Sequence, residues 1–366
     1  MAEPSGPPAG RLKKARAALE EAGLDALVVT SAENVRYLSG FTGSSAALAV
    51  PAAPAGDPWL VTDGRYAEQA GSEAPGFRVR IVAGAPGAAA ARLAAGARVG
   101  FEAACVTWDL WQEMREALKD AGGPVLIPCR NLIEALRTRK DERELEVMER
   151  AAAIASGALE EALPLVRPGT SERDIALRIE QAMHRRGAEG PAFASIVASG
   201  PRAALPHGRA SGRLLGEQEL VVIDIGARFE GYHSDMTRTF FTDRPGAEAR
   251  RVRETVREAQ QRAIEAVRPG VAARDVDRAA RQVIEDAGFA ERFGHGTGHG
   301  VGLQVHEAPR VGARSEEVLE AGMVITVEPG IYLQGEGGVR IEDMVLVTGT
   351  GARVLTPASG ETWCLE

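Results

Sequence analysis

Four acidic residues lie in or beside short apolar segments in the second half of this 366-residue chain. Asp224 lies within VVIDIGA and Glu328 within VITVEPG, while Asp235 and Glu342 follow in SDMTRT and VRIED. Burying an unpaired carboxylate is costly, so each of these acids needs a compensating partner. A salt bridge or a turn cap would explain one of them, but three or four together favour a bound cation.

Histidines cluster in a glycine-rich segment between these acids. The chain has six histidines, and His295, His299 and His306 all fall within FGHGTGHGVGLQVHE. Two histidines four residues apart on a helix would suggest a zinc site, but the interspersed glycines disfavour a helix. The segment is not a GxGxxG dinucleotide fingerprint either, because no strand leads directly into it. We therefore expect a loop or strand whose backbone closely approaches a ligand.

An internal repeat predicts how the acids are brought together. The segment VRPGTSERDIALRIEQ, residues 166–181, matches VRPGVAARDVDRAARQ, residues 267–282, at a constant offset of 101 residues. In each copy one helix ends at Pro-Gly and another begins, and Ser171 with Asp174 resembles a capping box. An apolar strand with one acid follows each copy, and then a second acid. The repeat predicts a pseudo-twofold arrangement in which four acids meet at the axis.

The length of the chain predicts two domains. Residues 1–10 are rich in Pro and Gly and are predicted to be disordered, and residues 11–135 alternate β-type runs with amphipathic helices, as an α/β unit does. The remaining domain, residues 136–366, opens with a charged segment at 137–149 that begins a long helix towards residue 163. Strands are predicted at 24–30, 46–50, 59–62, 78–82 and 125–128, and helices at 12–22 and 108–121.

Composition argues against several classes of protein. The chain is 45% hydrophobic and 26% charged, and it contains no apolar run long enough to span a membrane. A net charge of -8 disfavours nucleic acid as the main partner. Cys105, Cys129 and Cys364 form no CxxC pair, and the N-terminus lacks the apolar stretch of a secretory signal. We therefore expect a cytoplasmic protein without membrane or nucleic-acid partners.

Several motifs resemble those of one enzyme family. DIGARFEGYHSDMTRT, HGTGHGVGLQVHEAP, VITVEPGIY and GGVRIED look like the metal-binding blocks of the pita-bread metallopeptidases, which include methionine aminopeptidase, aminopeptidase P and prolidase. Upstream, NVRYLSGFTGS and LVTDGRYAEQA are similar to the N-terminal domain of creatinase, prolidase and aminopeptidase P, which methionine aminopeptidases lack. The resemblance covers nearly the whole chain. It implies an α/β (α+β) fold, with a creatinase-like N-terminal domain followed by a pita-bread domain.

The resemblance also implies the metal ligands, which are Asp224, Asp235, His299, Glu328 and Glu342. By the family pattern Asp235 and Glu342 bridge two divalent ions, Asp224 chelates one of them, and His299 with Glu328 completes the other. Glu328 would also move a proton from the attacking water to the proline nitrogen. Four carboxylates and one imidazole suit Mn2+ and also accept Co2+, Zn2+ or Fe2+.

Other residues receive roles around these ligands. The resemblance implies that His207, His295 and His306 contact substrate, with His306 at the scissile carbonyl oxygen; for His207 a plain loop histidine is the alternative. Thr237 and Arg340 lie two residues from bridging acids, where they could support them. An apolar wall for a proline ring could come from PAFASIVASG, although the same residues could belong to the core: Phe193, Ile196 and Val197.

These expectations describe a dinuclear metallo-aminopeptidase that hydrolyses the Xaa-Pro bond at the N-terminus of peptides with a hydroxide shared by two metal ions. A prolidase, which accepts only dipeptides, stays open because no residue decides between the two. Less favoured alternatives are a creatinase-like hydrolase without metals and a non-catalytic pita-bread binding module, which typically lack some of the five ligands. Since relatives commonly form dimers, the resemblance implies a homodimer.

Overall fold

The computed structural model describes residues 9–53, 56–94, 96–119 and 124–357. The chain forms two compact units, residues 1–137 and 138–366. Of the ten residues predicted to be disordered, residues 1–8 lie outside the described part, whereas Ala9 and Gly10 already belong to the first helix, contrary to that prediction. Among the described helices, none combines the length and the apolar character that a membrane span requires.

The first unit is built around one six-stranded sheet with the strand order β4-β3-β2-β1-β5-β6. Strand β1 pairs antiparallel with β2 and parallel with β5, so the sheet is mixed. Its elements are α1 (Ala9–Glu21), β1 (Ala26–Val29), α2 (Ala32–Ser39), β2 (Ala46–Pro51), β3 (Trp59–Thr62), α3 (Ala67–Glu73), β4 (Arg78–Ile81), α4 (Pro86–Leu93), β5 (Arg98–Glu102), α5 (Trp108–Leu118), β6 (Val125–Cys129) and α6 (Leu132–Arg137).

All five strands predicted for this unit are present, and a sixth strand, β5, was not predicted. The sequence of β5, RVGFE, contains two charged residues and a glycine, which weaken a strand pattern. Tertiary structure compensates, because β5 lies between β1 and β6 and its residues after Arg98 are buried. The predicted helix at 108–121 ends at Leu118, and residues 120–121 lie outside the described part.

The second unit begins with the first copy of the repeat. Its elements are α7 (Glu142–Ala162), α8 (Glu172–Arg185), β7 (Gly190–Pro191), β8 (Ile196–Ser199), β9 (Leu220–Ile225), β10 (Ala227–Phe229), β11 (Tyr232–His233) and β12 (Met236–Phe241). The long helix α7 begins at Glu142 and not at residue 137, because Asp141 and Glu144 form a reciprocal capping box at its start. At α8 only half of the predicted box forms, with Ser171 accepting from the backbone of Asp174.

The second copy of the repeat has the same helix pair followed by strands. Its elements are α9 (Ala247–Ala266), α10 (Ala273–Asp286), β13 (Gly298–Gly300), β14 (Glu307–Val311), β15 (Val324–Val327), β16 (Gly330–Leu333), β17 (Gly337–Arg340), β18 (Asp343–Val347) and β19 (Ala352–Val354). Helices α8 and α10 begin and end at positions that differ by the 101-residue offset of the repeat. Each half packs its own apolar core under its helices.

The strands of the two halves contact each other. The first half contributes a sheet of order β12-β9-β8 and the second a sheet of order β14-β13-β15-β18-β19. An antiparallel bridge joins Thr237 in β12 to Glu342, just before β18. In this bridge the backbone N–H of Glu342 donates to the carbonyl oxygen of Thr237 at 3.1 Å. The fold thus brings the acid-bearing strand of each half to the same place.

Candidate metal centre

Strand pairing places the acids of the first half on neighbouring strands. Asp224 in β9 pairs directly with Thr237 in β12, and Asp235 immediately precedes β12. Both carboxylates belong to residues that are less than one-tenth exposed. The apolar residues around Asp224 are explained by the same pairing, because β9 is the central strand of its sheet and is buried on both faces.

The second half repeats the arrangement with one difference. Glu328 follows the last residue of β15, and Glu342 precedes the first residue of β18, and these two strands pair antiparallel up to Val327 and Asp343. Strand β13 adds His299 on the other side of β15. The second half therefore contributes an imidazole that the first half lacks.

The glycines around His299 allow its strand to lie close to its neighbours. A Cβ atom at Gly298 would overlap the carbonyl oxygen of Thr326, and one at Gly300 would overlap that of Ala308. The prediction of a strand is confirmed for residues 298–300, and the groups that approach its glycines are backbone carbonyl oxygens of neighbouring strands. A helix through this segment is excluded, as the glycines indicated.

Side chains from both halves converge. One ligating atom from each of Asp235, His299 and Glu342 lies within 4.8 Å of the others. The Nε2 atom of His299 is 3.7 Å from Asp235 Oδ2 and 3.4 Å from Glu328 Oε1. Asp224 is connected to these side chains by Arg340, whose Nη2 donates to Asp224 Oδ2 at 2.6 Å. The five residues predicted as metal ligands thus belong to one side-chain cluster.

Two residues predicted to support the acids contact them directly. The Thr237 hydroxyl donates to Glu342 Oε2 at 2.7 Å and accepts from Arg340 Nε at 3.1 Å. Arg340 therefore contacts Asp224 directly and Glu342 through the Thr237 hydroxyl. The second carboxylate oxygen of Asp224, Oδ1, is buried and has no hydrogen-bond partner.

The convergence is electrostatically unfavourable for the acids by themselves. Burial first, and then repulsion from the neighbouring carboxylates, raises the pKa values of Asp235 and Glu342 well above the usual range. Burial likewise raises the pKa of Glu328 to about 7. Burial lowers the pKa of His299 to about 4, so its imidazole is neutral at neutral pH and can act as a metal ligand.

A second buried acid shows that the fold can satisfy a carboxylate with donors. Glu172 is fully buried, and its oxygens accept hydrogen bonds from Ser199, Ser211 and Arg202. Burial alone would raise its pKa, but these hydrogen bonds outweigh burial, and the pKa is lowered. At the centre Arg340 and the Thr237 hydroxyl compensate only in part, because the pKa values of Asp235 and Glu342 stay raised and Asp224 Oδ1 has no hydrogen-bond partner. An oxygen-rich set with one neutral imidazole fits divalent cations.

The three histidines predicted to contact substrate occupy different environments. His306 is exposed, and its ring lies 4.4 Å from that of His299 in an edge-to-face arrangement. His207 is exposed, and a positive charge on it would lower the pKa values of Asp224, His295 and His306. His295 is half-buried, and burial lowers its pKa to about 4.

One residue of this network received no role from the sequence. The Tyr332 hydroxyl lies 2.9 Å from His295 Nε2 and accepts from Arg340 Nη1 at 2.9 Å. Tyr332 therefore connects His295 to Arg340. Tyr332 belongs to the VITVEPGIY block. Its place two residues after Pro-Gly was the only signal, and a tyrosine there also fits an ordinary strand.

Strand alternation separates the three residues predicted to line a proline pocket. Ile196 pairs with Asp224 across β8 and β9 and therefore shares its face of the sheet. Val197 points to the opposite face and is fully buried in the core of the first half, which is the alternative that the sequence left open for it. Phe193 is half-buried and lies close to Gly226, two residues after Asp224. Phe193 and Ile196 remain candidates for an apolar wall.

Comparisons with known proteins cover nearly the whole chain. The model of Metallopeptidase family M24 matches residues 146–349, and that of the Creatinase/Prolidase N-terminal domain matches residues 11–139. The uncharacterized peptidase YqhT of Bacillus subtilis (strain 168) is 37% identical over 354 residues, which are 96% of this chain and 99% of that protein.

Two solved structures superimpose closely. The Xaa-Pro dipeptidase from Bacillus anthracis is 38% identical with a TM-score of 0.92, covering 97% of this chain and 99% of that one. The X-Pro aminopeptidase from Thermotoga maritima MSB8 is 35% identical with a TM-score of 0.85, covering 93% of this chain and 97% of that one.

Proposed function

Because this chain belongs to metallopeptidase family M24 and carries the creatinase/prolidase N-terminal domain, we propose that it is an exopeptidase that hydrolyses the Xaa-Pro bond at the N-terminus of peptides. Membership confirms the resemblance seen in the motifs, the two-domain α/β fold class and a metallopeptidase dependent on divalent metal ions. The observation that carries the proposal is the convergence of Asp235, His299 and Glu342 in a chain whose close structural relatives act on Xaa-Pro bonds.

We assign two metal ions to the central cluster. The carboxylates of the four acids and the imidazole of His299 would hold them: Asp224, Asp235, Glu328 and Glu342 with His299. The four carboxylates favour Mn2+, and Co2+, Zn2+ or Fe2+ could also bind. When bound, such a pair lowers the pKa of a water molecule held between the ions and polarises the scissile carbonyl.

The protein's own groups would orient the substrate and move protons. Glu328 lies next to His299, where its carboxylate could accept the proton of the attacking water and pass it to the proline nitrogen. His306, beside His299 and open to solvent, could donate to the carbonyl oxygen as negative charge develops on it. His295, held by Tyr332, and His207 would bind the residues on either side of the scissile bond.

Selectivity for proline needs a site that accepts a tertiary amide. The ring adds apolar surface and removes the N–H group, so an apolar wall without a required backbone acceptor would favour it. Ile196 lies on the same face as Asp224, and Phe193 approaches the end of β9, so both can supply such a wall.

The dipeptidase alternative is favoured by a specific observation, since the Bacillus anthracis structure is a dipeptidase and is similar over nearly the whole chain. Purified protein loaded with Mn2+ would be given Ala-Pro, Ala-Pro-Ala-Ala and Ala-Ala-Ala-Ala, and release of free alanine would be measured. An aminopeptidase cleaves the second peptide and not the third. Cleavage of Ala-Pro alone assigns a dipeptidase, and no cleavage of either proline peptide refutes the proposal. Asp235→Asn protein controls for contaminating peptidases.

We further propose a homodimer and a cytoplasmic location. The two described cysteines, Cys105 and Cys129, are free thiols, which suits a reducing compartment. The dimer is implied by the resemblance to related peptidases with this N-terminal domain. Sedimentation velocity at micromolar concentration should give twice the 38.6 kDa mass of the chain, and a single monomeric species would refute the dimer.

A further inference from the structure

Two buried acids lie outside the central cluster, on the two helices that the internal repeat relates. Glu172 is the first residue of α8, and Asp277 lies in the second turn of α10. Their exposed fractions are 0% and 1%, so each carboxylate must find its partners inside the protein. The two acids share an element of the repeat, although they do not occupy aligned positions.

Glu172 holds both ends of the segment that carries His207. Its Oε1 accepts from the backbone N–H of Ser199 at 2.9 Å and from the Ser199 hydroxyl at 2.8 Å. Its Oε2 accepts from the backbone N–H of Ser211 at 3.0 Å and from the Ser211 hydroxyl at 2.6 Å. Arg202, inside the segment, donates from Nε to both oxygens at 3.2 Å. One carboxylate therefore closes the loop from residue 199 to residue 211.

The middle of the same loop is bound from the side of the metal centre. Arg340 Nη1 donates at 3.2 Å to the carbonyl oxygen of Pro206, the residue before His207. Arg202 Nη2 donates at 2.5 Å to the carbonyl oxygen of Arg209, two residues after His207. The backbone on both sides of His207 is thus held by charged hydrogen bonds, which are the stronger class.

Asp277 does the same for the segment that carries His295. Its Oδ1 accepts from the backbone N–H of Thr297 at 3.1 Å and from the Thr297 hydroxyl at 2.9 Å. Arg281, one turn further along α10, pairs with both Asp277 oxygens and donates at 3.0 Å to the carbonyl oxygens of Phe293 and His295. The pair therefore binds the backbone at, before and after His295.

Through these contacts the two acids hold the backbone of the segments that carry His207 and His295. A side chain on a loop acts in catalysis only if the loop backbone is held, and misplacement by about 1 Å can cost about a hundredfold in rate. The hydrogen bonds of both acids go to the histidine segments and to their own arginines.

We propose that Glu172 and Asp277 are positioning residues of the reaction, with Glu172 fixing His207 and Asp277, through Arg281 and Thr297, fixing His295. Each half of the repeat then carries its own anchor for the histidine that it presents to the substrate. The inference rests on the proposed function, in which both histidines contact the peptide.

A set of double-mutant cycles tests the pairing. Glu172→Gln and Asp277→Asn would each be measured alone and combined with His207→Ala and with His295→Ala, on the metal-loaded enzyme with an Xaa-Pro peptide. We expect Glu172→Gln to lower kcat/KM about 10-fold to 100-fold alone and in His295→Ala protein, but less than about twofold in His207→Ala protein. Asp277→Asn should show the reverse dependence. Additive effects in all four combinations would show that the acids are only structural.

A second readout is independent of activity. Hydrogen exchange of backbone amides should become faster within residues 199–211 in Glu172→Gln protein and within residues 293–297 in Asp277→Asn protein, each without the other. If the wild-type protein fails to hydrolyse Xaa-Pro peptides, the proposed function is wrong, and this readout alone decides whether the acids hold these segments. Exchange that is unchanged, or faster throughout the unit, would overturn the inference.

The matched control is a buried acid in the first unit. Glu102 is 6% exposed and accepts hydrogen bonds from the backbone of Thr30 and Ser31 and from the Asn34 side chain. Glu102→Gln should leave kcat/KM and the exchange of both histidine segments unchanged. Metal content, measured on every purified variant, should equal that of the wild type, because neither anchor acid belongs to the central cluster.

Discussion

Buried carboxylates occur in two environments in the second unit, and the difference between them shows what the centre is built to hold. Around Glu172 the fold supplies serine and arginine donors, which lower the pKa of the carboxyl against the effect of burial. Around Asp235 and Glu342 it supplies further carboxylates, and although Glu342 accepts from the Thr237 hydroxyl, burial and the repulsion between carboxylates raise both pKa values. Since the same unit can neutralise a buried acid with hydrogen bonds, the centre is arranged for cations to complete it.

The two halves of the repeat also contribute unequally to that centre. The first half presents two acids, Asp224 and Asp235, whereas the second presents two acids and His299. The hydroxyl of Thr237 from the first half and the guanidinium of Arg340 from the second meet at Glu342 and Asp224. Neither half by itself holds a complete ligand set, so duplication alone does not create the site.

The largest expected effect follows from removing charge at the centre. Asp235→Asn and Glu342→Gln should each lower kcat/KM at saturating Mn2+ by at least about a thousandfold, equivalent to about 4 kcal/mol, because a neutral amide cannot replace a ligating carboxylate. Glu172→Gln should lose far less. Steady-state kinetics on an Xaa-Pro peptide measure this. A central variant that keeps a tenth of the wild-type activity would remove the distinction between the two kinds of acid.

The metal-free protein should lose stability as pH rises above 6.5. A carboxyl whose pKa is raised in the folded state binds more protons there than in the unfolded chain, so its stabilising contribution is lost with rising pH. Burial lowers the pKa values of His295 and His299 to about 4, and their opposite contribution fades as the pH rises past 6.5, where these residues lose their protons in the unfolded chain. Above that pH, Asp235 and Glu342 should each cost about 1.4 kcal/mol per pH unit while still protonated.

Urea unfolding at pH 6.5, 7.2 and 8, with chelator or with saturating Mn2+, measures this pH dependence. Bound metal should abolish the decline, because the ions stabilise the ionised carboxylates. A metal-free protein whose free energy of unfolding is constant or rises over this range would contradict the raised pKa values.

Amide substitutions should change the stability of the metal-free protein in opposite directions. Asp235→Asn should raise the free energy of unfolding at pH 8 by more than about 1 kcal/mol, because the amide is neutral without having to bind a proton, as the buried carboxyl must. Glu172→Gln should lower it by about 1–3 kcal/mol, because an amide NH2 group then faces the donors of a serine. Urea unfolding with chelator compares them. If both substitutions changed the free energy of unfolding in the same direction, the surroundings of Asp235 and Glu172 would not differ as proposed.

The smallest expected effect concerns the hydroxyls beside the ligands. Thr237→Val should weaken Mn2+ affinity about 10-fold to 100-fold, because Glu342 loses a hydrogen bond of 2.7 Å. Thr326→Val should weaken it less, since the Thr326 hydroxyl donates to Glu328 across 3.3 Å. Titration calorimetry on the chelator-treated proteins measures both, with Thr237→Ser as the control that restores the hydroxyl. Equal losses at the two positions would mean that hydroxyl distance does not control ligand strength.

Sequence patterns predicted much of the fold because those features are local. The acids stand out as charges within apolar strands, and the repeat predicts α8 and α10 from their shared start at Pro-Gly. The sequence left both a pocket and a core position open for Val197, because it shows which residues of a strand are apolar but not which face of the sheet each side chain takes. Pairing of Ile196 with Asp224 decides that face.

The anchor acids illustrate what the sequence did not reveal. Glu172 is the first residue of α8, where an acid is common for capping and dipole reasons, and Asp277 lies with Arg281 at the i, i+4 spacing of an ordinary helix ion pair, so their types carry no special signal. Their partners in the histidine segments lie 20 to 39 residues further along the chain. Arg281 and Tyr332 escaped notice for the same reason, since each gains its meaning only from a contact made across the fold.

By itself the sequence determined the family motifs, the duplicated helices and strands, and the residue types that can bind metal, because these depend on spacing and on hydrophobic periodicity along the chain. Only the tertiary structure decided which carboxylates lack donors and which are satisfied, and which residues hold the histidine loops. The physical reason is that the cost of a buried charge depends on the groups that surround it, and these come from segments far apart in sequence.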